Sequence, residues 1–227
     1  ATKGNATIGG LSGASTTYLS GSSKKTKDFE CIWNIGTANT DETFAGRINN
    51  WSMSGSSSKY QGTVNINKQG TGYWRLTGDN DYKGVTNVQG ANLTVNGTIS
   101  GTGAVNVMKD ATLSGEGSIA GAVCVDAGAT IQAGDFEKGA NGAKLSLKSS
   151  LTVKSCGIVN VLLEGTSNNV IASDAVTLED GAVIQMGDAD VPMTFVDGEV
   201  FKVFSSGVTL GGTVKMIPEK PGEGQVW

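Results

Sequence analysis

The residues best suited to acid–base chemistry in this sequence are aspartates in glycine-rich turns. Asp110 and Asp126 lie in the turns before two similar segments, Ala-Thr-Leu and Ala-Thr-Ile. If successive coils of a repeat stack, the two carboxylates would come near the roughly 5–9 Å separation that glycoside hydrolysis needs. Aspartate is also favoured in turns because its carboxylate bonds to nearby backbone N–H groups. We expect the structural role for both, and we predict no catalytic residue and a non-enzymatic protein.

Other kinds of site lack the residues that they need. The sequence contains no histidine, which excludes Ser-His-Asp and Cys-His nucleophiles and histidine-ligated metals. Cleavage of pectate-like polymers needs calcium-binding aspartates and a basic residue, but Arg47 and Arg75 lie in separate segments. Asp79-Asn80-Asp81, Asp188 and Asp190 lack the surrounding loop of a calcium site. We therefore expect polar turns there, with no metal and no cofactor.

The three cysteines, Cys31, Cys124 and Cys156, are widely separated and odd in number. They cannot all pair within the chain. Cys124 lies between two valines that alternate with it, so its side chain is predicted to face outward. Free thiols are the favoured interpretation, and a bridge between Cys124 and Cys156 is the alternative.

Aromatic residues are concentrated in the first part of the chain, where nine of the fourteen precede residue 83. One interpretation is a cap that closes the end of the fold, where edge strands would otherwise pair with other chains. The other is a platform on which sugars stack. Because Trp74 alternates with Leu76, we predict Trp74 inside and Tyr73 outside. The candidate glycan contacts are Trp33, Trp51, Tyr73 and Trp74.

Net charge and hydropathy limit the partners. The formal net charge is −4 and the one dense basic run is Lys24-Lys25-Thr26-Lys27, so we expect no nucleic-acid binding. No apolar run approaches the roughly 18 residues that a membrane helix needs, so we expect no membrane span in this chain.

A repeat between residues 85 and 134 indicates the fold. Val105 and Val107 recur as Val123 and Val125. Ala111-Thr112-Leu113 follows the first pair of valines, and Ala129-Thr130-Ile131 follows the second pair. Alternation with period two places these apolar side chains on one face. The 18- to 20-residue spacing is too short for helical-pair or propeller repeats. It leaves room for three short strands with turns between them.

Three inward-facing strands per repeat predict an all-β solenoid. One coil cannot bury its apolar side chains alone, so coils stack about 4.8 Å apart and form parallel sheets along the axis. The inward residues are Val, Leu, Ile and Ala, so we expect a packed, dry interior. Asp110 and Gly128 fall at one repeat position, where we predict a left-handed turn.

Residues 68–97 resemble the autotransporter-associated β-strand repeat. Asp79-Asn80-Asp81 replaces a less acidic triplet of that pattern, and Val85-Thr86 lacks its glycine. The resemblance implies a right-handed parallel β-helix in an exported bacterial surface or secreted protein, and it implies no reaction. The matching positions are Lys68, Gly70, Gly72, Leu76, Gly78, Tyr82, Gly84, Val88, Gly90, Leu93, Val95, Asn96 and Gly97.

We predict three regions: an irregular, aromatic-rich N-terminal cap over residues 1–59, a solenoid over 60–217, and a Pro-rich tail over 218–227. The expected function is that of a non-catalytic stalk, spacer, adhesion or display module, secreted or at the cell surface. Covalent neighbouring domains and a glycan or partner surface are the expected partners. The alternatives are a carbohydrate-binding module and an accessory domain of a polysaccharide-degrading enzyme.

Overall fold

The computed structural model describes residues 3–21, 29–50, 62–135, 142–164, 167–187 and 198–220. The described residues form strands joined by turns, bends and loops, and none of them is helical. The Lys24–Lys27 run, Trp51, Asp188, Asp190 and residues 221–227 lie outside the described residues. The strands are β1 (Lys3–Ile8), β2 (Tyr18–Ser20), β3 (Glu30–Ile35), β4 (Glu42–Phe44), β5 (Arg47–Asn49), β6 (Thr63–Lys68), β7 (Trp74–Leu76), β8 (Asp79–Asn80), β9 (Thr86–Val88), β10 (Ala91–Val95), β11 (Thr98–Ile99), β12 (Val105–Val107), β13 (Ala111–Ser114), β14 (Ser118–Ile119), β15 (Val123–Val125), β16 (Thr130–Gln132), β17 (Lys144–Val153), β18 (Ile158–Val161), β19 (Leu163–Glu164), β20 (Ser167–Asn168), β21 (Val170–Leu178), β22 (Val183–Met186), β23 (Val208–Leu210) and β24 (Lys215–Ile217).

The strands stack in three columns, and from β6 to the first half of β21 each coil gives one strand to each column. Face 1 runs β1-β3-β6-β9-β12-β15 and continues through the second half of β17, the second half of β21, and β23. Face 2 runs β4-β7-β10-β13-β16-β18-β22-β24. Face 3 runs β8-β11-β14 and continues through the first halves of β17 and β21. The pairs within these faces are parallel, so the prediction of an all-β solenoid with three strands per coil is confirmed.

The core consists of the aliphatic side chains that the repeat predicts to face inward. Val105, Leu113 and Ile131 are at most 1% exposed. Val105 pairs with Val123, and Leu113 pairs with Ile131, so like side chains stack along the axis. Each such stack stabilises the fold by about 25 cal/mol per Å² of apolar surface that it buries.

The corner between face 1 and face 2 is a column of left-handed turns. Asp110 and Gly128 have φ values of 64° and 73°, as predicted, and Cys156 and Gly181 take the same position with 61° and 80°. The N–H of each residue donates to the next turn: Asp110 to Gly128, Gly128 to Cys156, and Cys156 to Gly181, at 2.8–3.0 Å. These turns therefore carry the backbone ladder round the corner.

The described N-terminal strands join the ladder of the solenoid. Strand β1 pairs with β3, and β3 with β6, in one parallel register, so the solenoid ladder already begins at Lys3. The boundary that we placed at residue 59 falls among residues 51–61, which the structure does not describe. Small inward residues, Gly4 and Ala6, hide the apolar alternation of β1. The three aromatic side chains of Phe44, Trp74 and Tyr82 are 1–2% exposed and form part of the core.

Candidate functional site

Trp74 is part of the core and not of the outer surface. Its side chain points inward, as predicted, and is 2% exposed. The indole N–H donates to the carbonyl oxygen of Leu11 at 2.9 Å. Leu11 lies two coils nearer the N-terminus, so the ring spans the interior of the coil between them. Trp74 supports the end of the solenoid from within, and its ring is not available to stack on a sugar.

The other aromatic candidates do not form a common platform in the described residues. Trp33 occupies an inward position on face 1, in register with Ala6 and Ile66, and is half-buried against the core. Its buried indole N–H has no hydrogen-bond partner in the described part of the chain. Tyr73 is half-buried, and its backbone N–H donates to Asp41. Trp51 lies outside the described residues. Two of the four candidate rings therefore face the core.

The candidate acidic residues take part in turns and ion pairs. Asp110 holds the left-handed corner described above, and Asp126 pairs with Lys154, whose Nζ lies 2.6 Å from its carboxylate. This hydrogen bond raises the pKa of Lys154. Asn80, in the acidic triplet, is fully buried, and its side-chain oxygen accepts the backbone N–H of Ile48. Asp81 binds the Arg47 guanidinium through two hydrogen bonds, which raise the pKa of Arg47.

A second arginine, Arg75, belongs to a buried ion pair that sequence reasoning missed. Its Nε and Nη2 donate to the two carboxylate oxygens of Asp135 at 2.8 and 2.9 Å. Asn96 donates to the same carboxylate at 3.0 Å, and Asp135 is 1% exposed. The chain reaches this position because Gly134 forms an antiparallel bridge with Gly115 across the outside of face 2. The pair clamps the coil of β16 to the coil of β7.

The outside of face 1 carries a ladder of asparagine side chains. The Nδ2 of each residue donates to the Oδ1 of the preceding one, at 2.5–2.9 Å. The sequence held a signal for it, since asparagine recurs at one outward position in four successive coils, from Asn34 to Asn106, and Asn5 lies two residues before that column. Amide ladders of this kind are known to reinforce stacked parallel strands. The members are Asn5, Asn34, Asn67, Asn87 and Asn106.

Lys68 is a buried cation at the corner between faces 1 and 2. Its side chain points inward and is 1% exposed. The ammonium group donates to the carbonyl oxygens of Gln69 at 2.7 Å and Gly90 at 3.2 Å, which belong to neighbouring coils. Burial lowers the pKa of Lys68 to about 8. The lysine therefore fastens two corners together in place of an aliphatic side chain.

All three cysteines are free thiols, as the favoured interpretation predicted. Cys124 faces outward from β15 and is half-buried, whereas Cys31 is buried. Cys156 is exposed in a left-handed turn. Burial raises the pKa values of Cys31 and Cys124. Neither thiol has the lowered pKa of a reactive cysteine.

The C-terminal end of the solenoid carries an open apolar groove. The groove has a volume of about 450 Å³, and its lining includes Phe201, Phe204, Val214 and Met216. Leu210, on the last strand of face 1, also lines it and is 60% exposed. Among the described residues the lining is mainly apolar, with Lys202 and Ser206 as its polar members, so these residues offer few of the convergent polar groups that fix a small ligand.

The fold and these side chains define the class of a parallel β-solenoid whose polar residues hold its coils together. No protein-family model matches the chain, and no curated protein matches it either. Within the described ranges, no three His, Cys, Asp or Glu side chains form a group that could hold a metal ion. Among the same residues there is no helix of the length and apolar character required to span a bilayer.

Proposed function

We propose that this chain is a non-catalytic structural module, a stiff spacer or display segment of a larger exported protein. The observation that carries the proposal is the unbroken parallel ladder of face 1 from β1 to β23. Stacked coils whose like side chains meet along one axis resist bending, because each coil is packed against both neighbours. Such a rod holds other parts of a protein at a fixed distance from an anchor.

The polar side chains support a passive role. Asp81, Asp126 and Asp135 each form an ion pair that joins one coil to another. A catalytic carboxylate instead needs room for a substrate beside it and a second acid across the scissile bond. The polar residues of this chain therefore serve the scaffold, which is the arrangement expected of a spacer.

The proposed location is the cell surface or the extracellular space. The resemblance of residues 68–97 to the autotransporter-associated repeat supports it, because that repeat occurs in exported bacterial proteins. In such a setting the partners would be covalent neighbouring domains and a glycan or another surface. The three free thiols are compatible with both the cell surface and the extracellular space, so they do not distinguish between these locations.

The test of the spacer role is the removal of one whole coil. Deleting residues 151–175 joins Ser150 to Val176, which pairs with Leu151 in the intact chain. The inward columns stay in register, because Ile184 then stacks on Ile131 in place of Val159. We expect a folded protein with a cooperative melt whose length, by small-angle scattering, falls by about 4.8 Å, one strand spacing. An unfolded deletion variant would contradict independent stacking of the coils.

A carbohydrate-binding module remains the second candidate. Tyr73 is half-buried on the outward side of β7, and the asparagine ladder offers amide groups to sugar hydroxyls. A glycan array with the intact chain distinguishes the two functions, with Tyr73→Ala and Asn87→Ala as the variants. A spacer whose neighbouring domains contact the glycan or other surface predicts no saturable glycan binding by this chain itself. Saturable binding of a glycan that is lost in either variant would favour the carbohydrate-binding role over the spacer role. Flanking domains with hydrolase motifs would instead favour an accessory role in polysaccharide degradation.

A further inference from the structure

The dipeptide Asn96-Gly97 is chemically labile by its sequence. The backbone nitrogen of a glycine that follows asparagine can attack the side-chain carbonyl carbon of that asparagine, because glycine has no side chain to hinder the approach. The sequence contains two such dipeptides, Asn96-Gly97 and Asn141-Gly142. Asn141 lies outside the described residues, whereas the structure describes both residues of the first dipeptide.

The fold requires the glycine of this dipeptide. Gly97 lies at the corner between β10 on face 2 and β11 on face 3, where it stacks between Gly78 of the preceding coil and Gly117 of the next. A Cβ atom at Gly97 would overlap the carbonyl oxygen of Gly78, and a Cβ atom at Gly117 would overlap that of Gly97. The close stacking of these corners admits no side chain, so it imposes the labile dipeptide.

The side-chain amide of Asn96 is bonded on both sides. Its Nδ2 donates to Asp135 Oδ2 at 3.0 Å, beside the two bonds from Arg75 to the same carboxylate. Its Oδ1 accepts the backbone N–H of Glu116, in the next coil, at 3.2 Å. Asp135 is 1% exposed, so its carboxylate is held in place. These bonds oppose the rotation that would bring the side-chain carbonyl carbon of Asn96 to the main chain.

The attacking nitrogen is held as well. The backbone N–H of Gly97 donates to the carbonyl oxygen of Leu76, in the preceding coil, at 2.9 Å. Ring closure needs this nitrogen to lose its proton and to approach the side chain, and the hydrogen bond opposes both. The bonds to Leu76, Glu116 and Asp135 join the dipeptide to three different coils, so the reaction needs those coils to separate. Separation of neighbouring coils is a local opening that leaves the rest of a solenoid folded.

We propose that Asn96 is a conditional deamidation site, which the stacked coils suppress and a local separation of the coils opens. In the opened state the backbone nitrogen of Gly97 forms a bond to Cγ of Asn96. The bond from Cγ to Nδ2 breaks, and ammonia leaves with the proton of the Gly97 N–H. Water then opens the succinimide ring to aspartate or isoaspartate. The net reaction consumes water, releases ammonia and needs no oxidant.

The product would prevent Arg75, Asp135 and residue 96 from closing as before. Nδ2 of Asn96 donates to Asp135, and deamidation replaces that nitrogen by a carboxylate oxygen, so two carboxylates would face each other. Isoaspartate also lengthens the main chain beside the closely packed Gly97. Because the reaction is irreversible, a brief separation of the coils would leave a permanently weakened contact between them. This inference does not depend on the spacer role.

Peptide mapping by mass spectrometry measures the reaction at neutral pH and physiological temperature. The chain unfolded in urea gives the unprotected rate, with Asn141-Gly142 as an internal reference of the same dipeptide. In the folded wild type, deamidation at Asn96 should be slower by about a hundredfold, because only local opening reaches the reactive state. Asp135→Ala should raise the folded-state rate by about tenfold, the factor expected when a hydrogen bond to a charged group is lost.

The matched control separates local opening from a general loss of stability. Leu178→Ala leaves a cavity at the end of β21, away from Asn96, and should lower the melting temperature without raising the rate at Asn96. Equal rates in the folded and unfolded wild type would overturn the proposal, because the bonds of the dipeptide would then give no protection. An unchanged rate in Asp135→Ala, or an equal rise in Leu178→Ala, would overturn it too.

The consequence of deamidation has its own test in Asn96→Asp, with Asn96→Ala as the control. Asn96→Asp should lower the urea midpoint more than Asn96→Ala, because it adds a carboxylate opposite Asp135 as well as removing the amide. In an Asp135→Asn background the two variants should be equally stable. If Asn96→Asp is as stable as the wild type, deamidation does not weaken the contact between the coils, and that part of the proposal is wrong.

Discussion

The N-terminal coils and the central coils share one backbone arrangement but fill it differently. From β10 to β18 the inward side chains are aliphatic, as at Val105 and Leu113. From β3 to β9 it contains Trp74, Tyr82, Lys68 and a buried asparagine. The same parallel ladder runs through both regions. A solenoid therefore tolerates aromatic and polar interiors, provided that each buried polar group finds a partner in a neighbouring coil.

The two interiors differ in how they specify their packing. Aliphatic stacks are interchangeable from coil to coil, since each layer presents nearly the same surface to the next. The indole of Trp74 and the ammonium of Lys68 instead bond to particular carbonyl oxygens in other coils. Those bonds fix the register of the N-terminal coils, and substitutions in the two regions should therefore have different consequences.

The largest effect is expected from a charge in the aliphatic interior. Leu113→Asp buries a carboxylate with no partner at a position that is 0% exposed, so the protein should not fold. Thr112→Asp places the same charge on the outward side of β13, where Thr112 is half-buried, and should be tolerated. Circular dichroism and solubility after expression measure the outcome. Similar damage from the two substitutions would mean that the inward and outward sides of β13 are misassigned.

The next effect concerns the aromatic interior. Trp74→Ala removes the largest fully buried side chain among the described residues and leaves a cavity, so we expect a loss of about 3–5 kcal/mol in the free energy of unfolding. Trp74→Phe retains most of the volume but loses the bond to Leu11 O, and should cost less. Urea denaturation of both variants gives the values. A negligible cost for Trp74→Ala would show that the ring does not support the N-terminal coils.

Breaking the clamp on face 2 should be nearly as costly. Asp135→Ala leaves the half-buried Arg75 without its carboxylate, and the loss of one partner of a buried pair costs up to about 3–5 kcal/mol. The matched control is Asp81→Ala, which breaks the more exposed pair with Arg47 and should cost at most about 1 kcal/mol. Urea midpoints of the two variants can be compared directly. Equal urea midpoints for the two variants would mean that the pair of Arg75 and Asp135 does not hold the coils together.

The stability of the N-terminal coils, unlike that of the aliphatic central coils, should depend on pH through Lys68. Because the pKa of Lys68 falls to about 8 in the folded chain, the folded state releases its proton before the unfolded state does. The contribution of Lys68 to stability should therefore rise from pH 8 upward, until the unfolded lysine titrates at about 10.4. Burial raises the pKa of Tyr82 to about 12, which lowers stability only above pH 10.

The measurement is the urea midpoint of the wild type and of Lys68→Met between pH 7.5 and 9.5. Taking the difference between the two proteins cancels the contribution of the buried thiols, whose raised pKa values act in the opposite direction. The difference should shift in favour of the wild type as the pH rises. A constant difference would show that Lys68 titrates normally in the folded chain.

The smallest effect belongs to the asparagine ladder. Asn87→Ala removes an amide that bonds to both Asn67 and Asn106, so we expect a cost of about 1–2 kcal/mol. The control is Thr152→Ala, which alters the same outward column of face 1 beyond the ladder. Thermal melts of the two variants suffice. If Thr152→Ala is as costly as Asn87→Ala, the amide bonds add nothing to the parallel backbone.

Much of the central fold could be predicted from the sequence. The repeat of Val105-Asn106-Val107 as Val123-Cys124-Val125 placed the inward side chains, and Asp110 and Gly128 marked the left-handed corner. The first coils were harder, because Gly4 and Ala6 give no hydrophobic alternation and large aromatics suggested a separate cap. Of the candidate glycan contacts, the inward direction of Trp74 was predicted from its alternation with Leu76.

The sequence alone determined the coil, because alternation with period two and the spacing of turns are local properties of the chain. Only the tertiary structure decided which distant side chains meet. Arg75 and Asp135 are 60 residues apart, and Trp74 and Leu11 are 63 apart. Such contacts depend on how many coils the chain completes and where it turns back across a face. The sequence around a side chain in one coil does not indicate which distant coil that side chain will pack against.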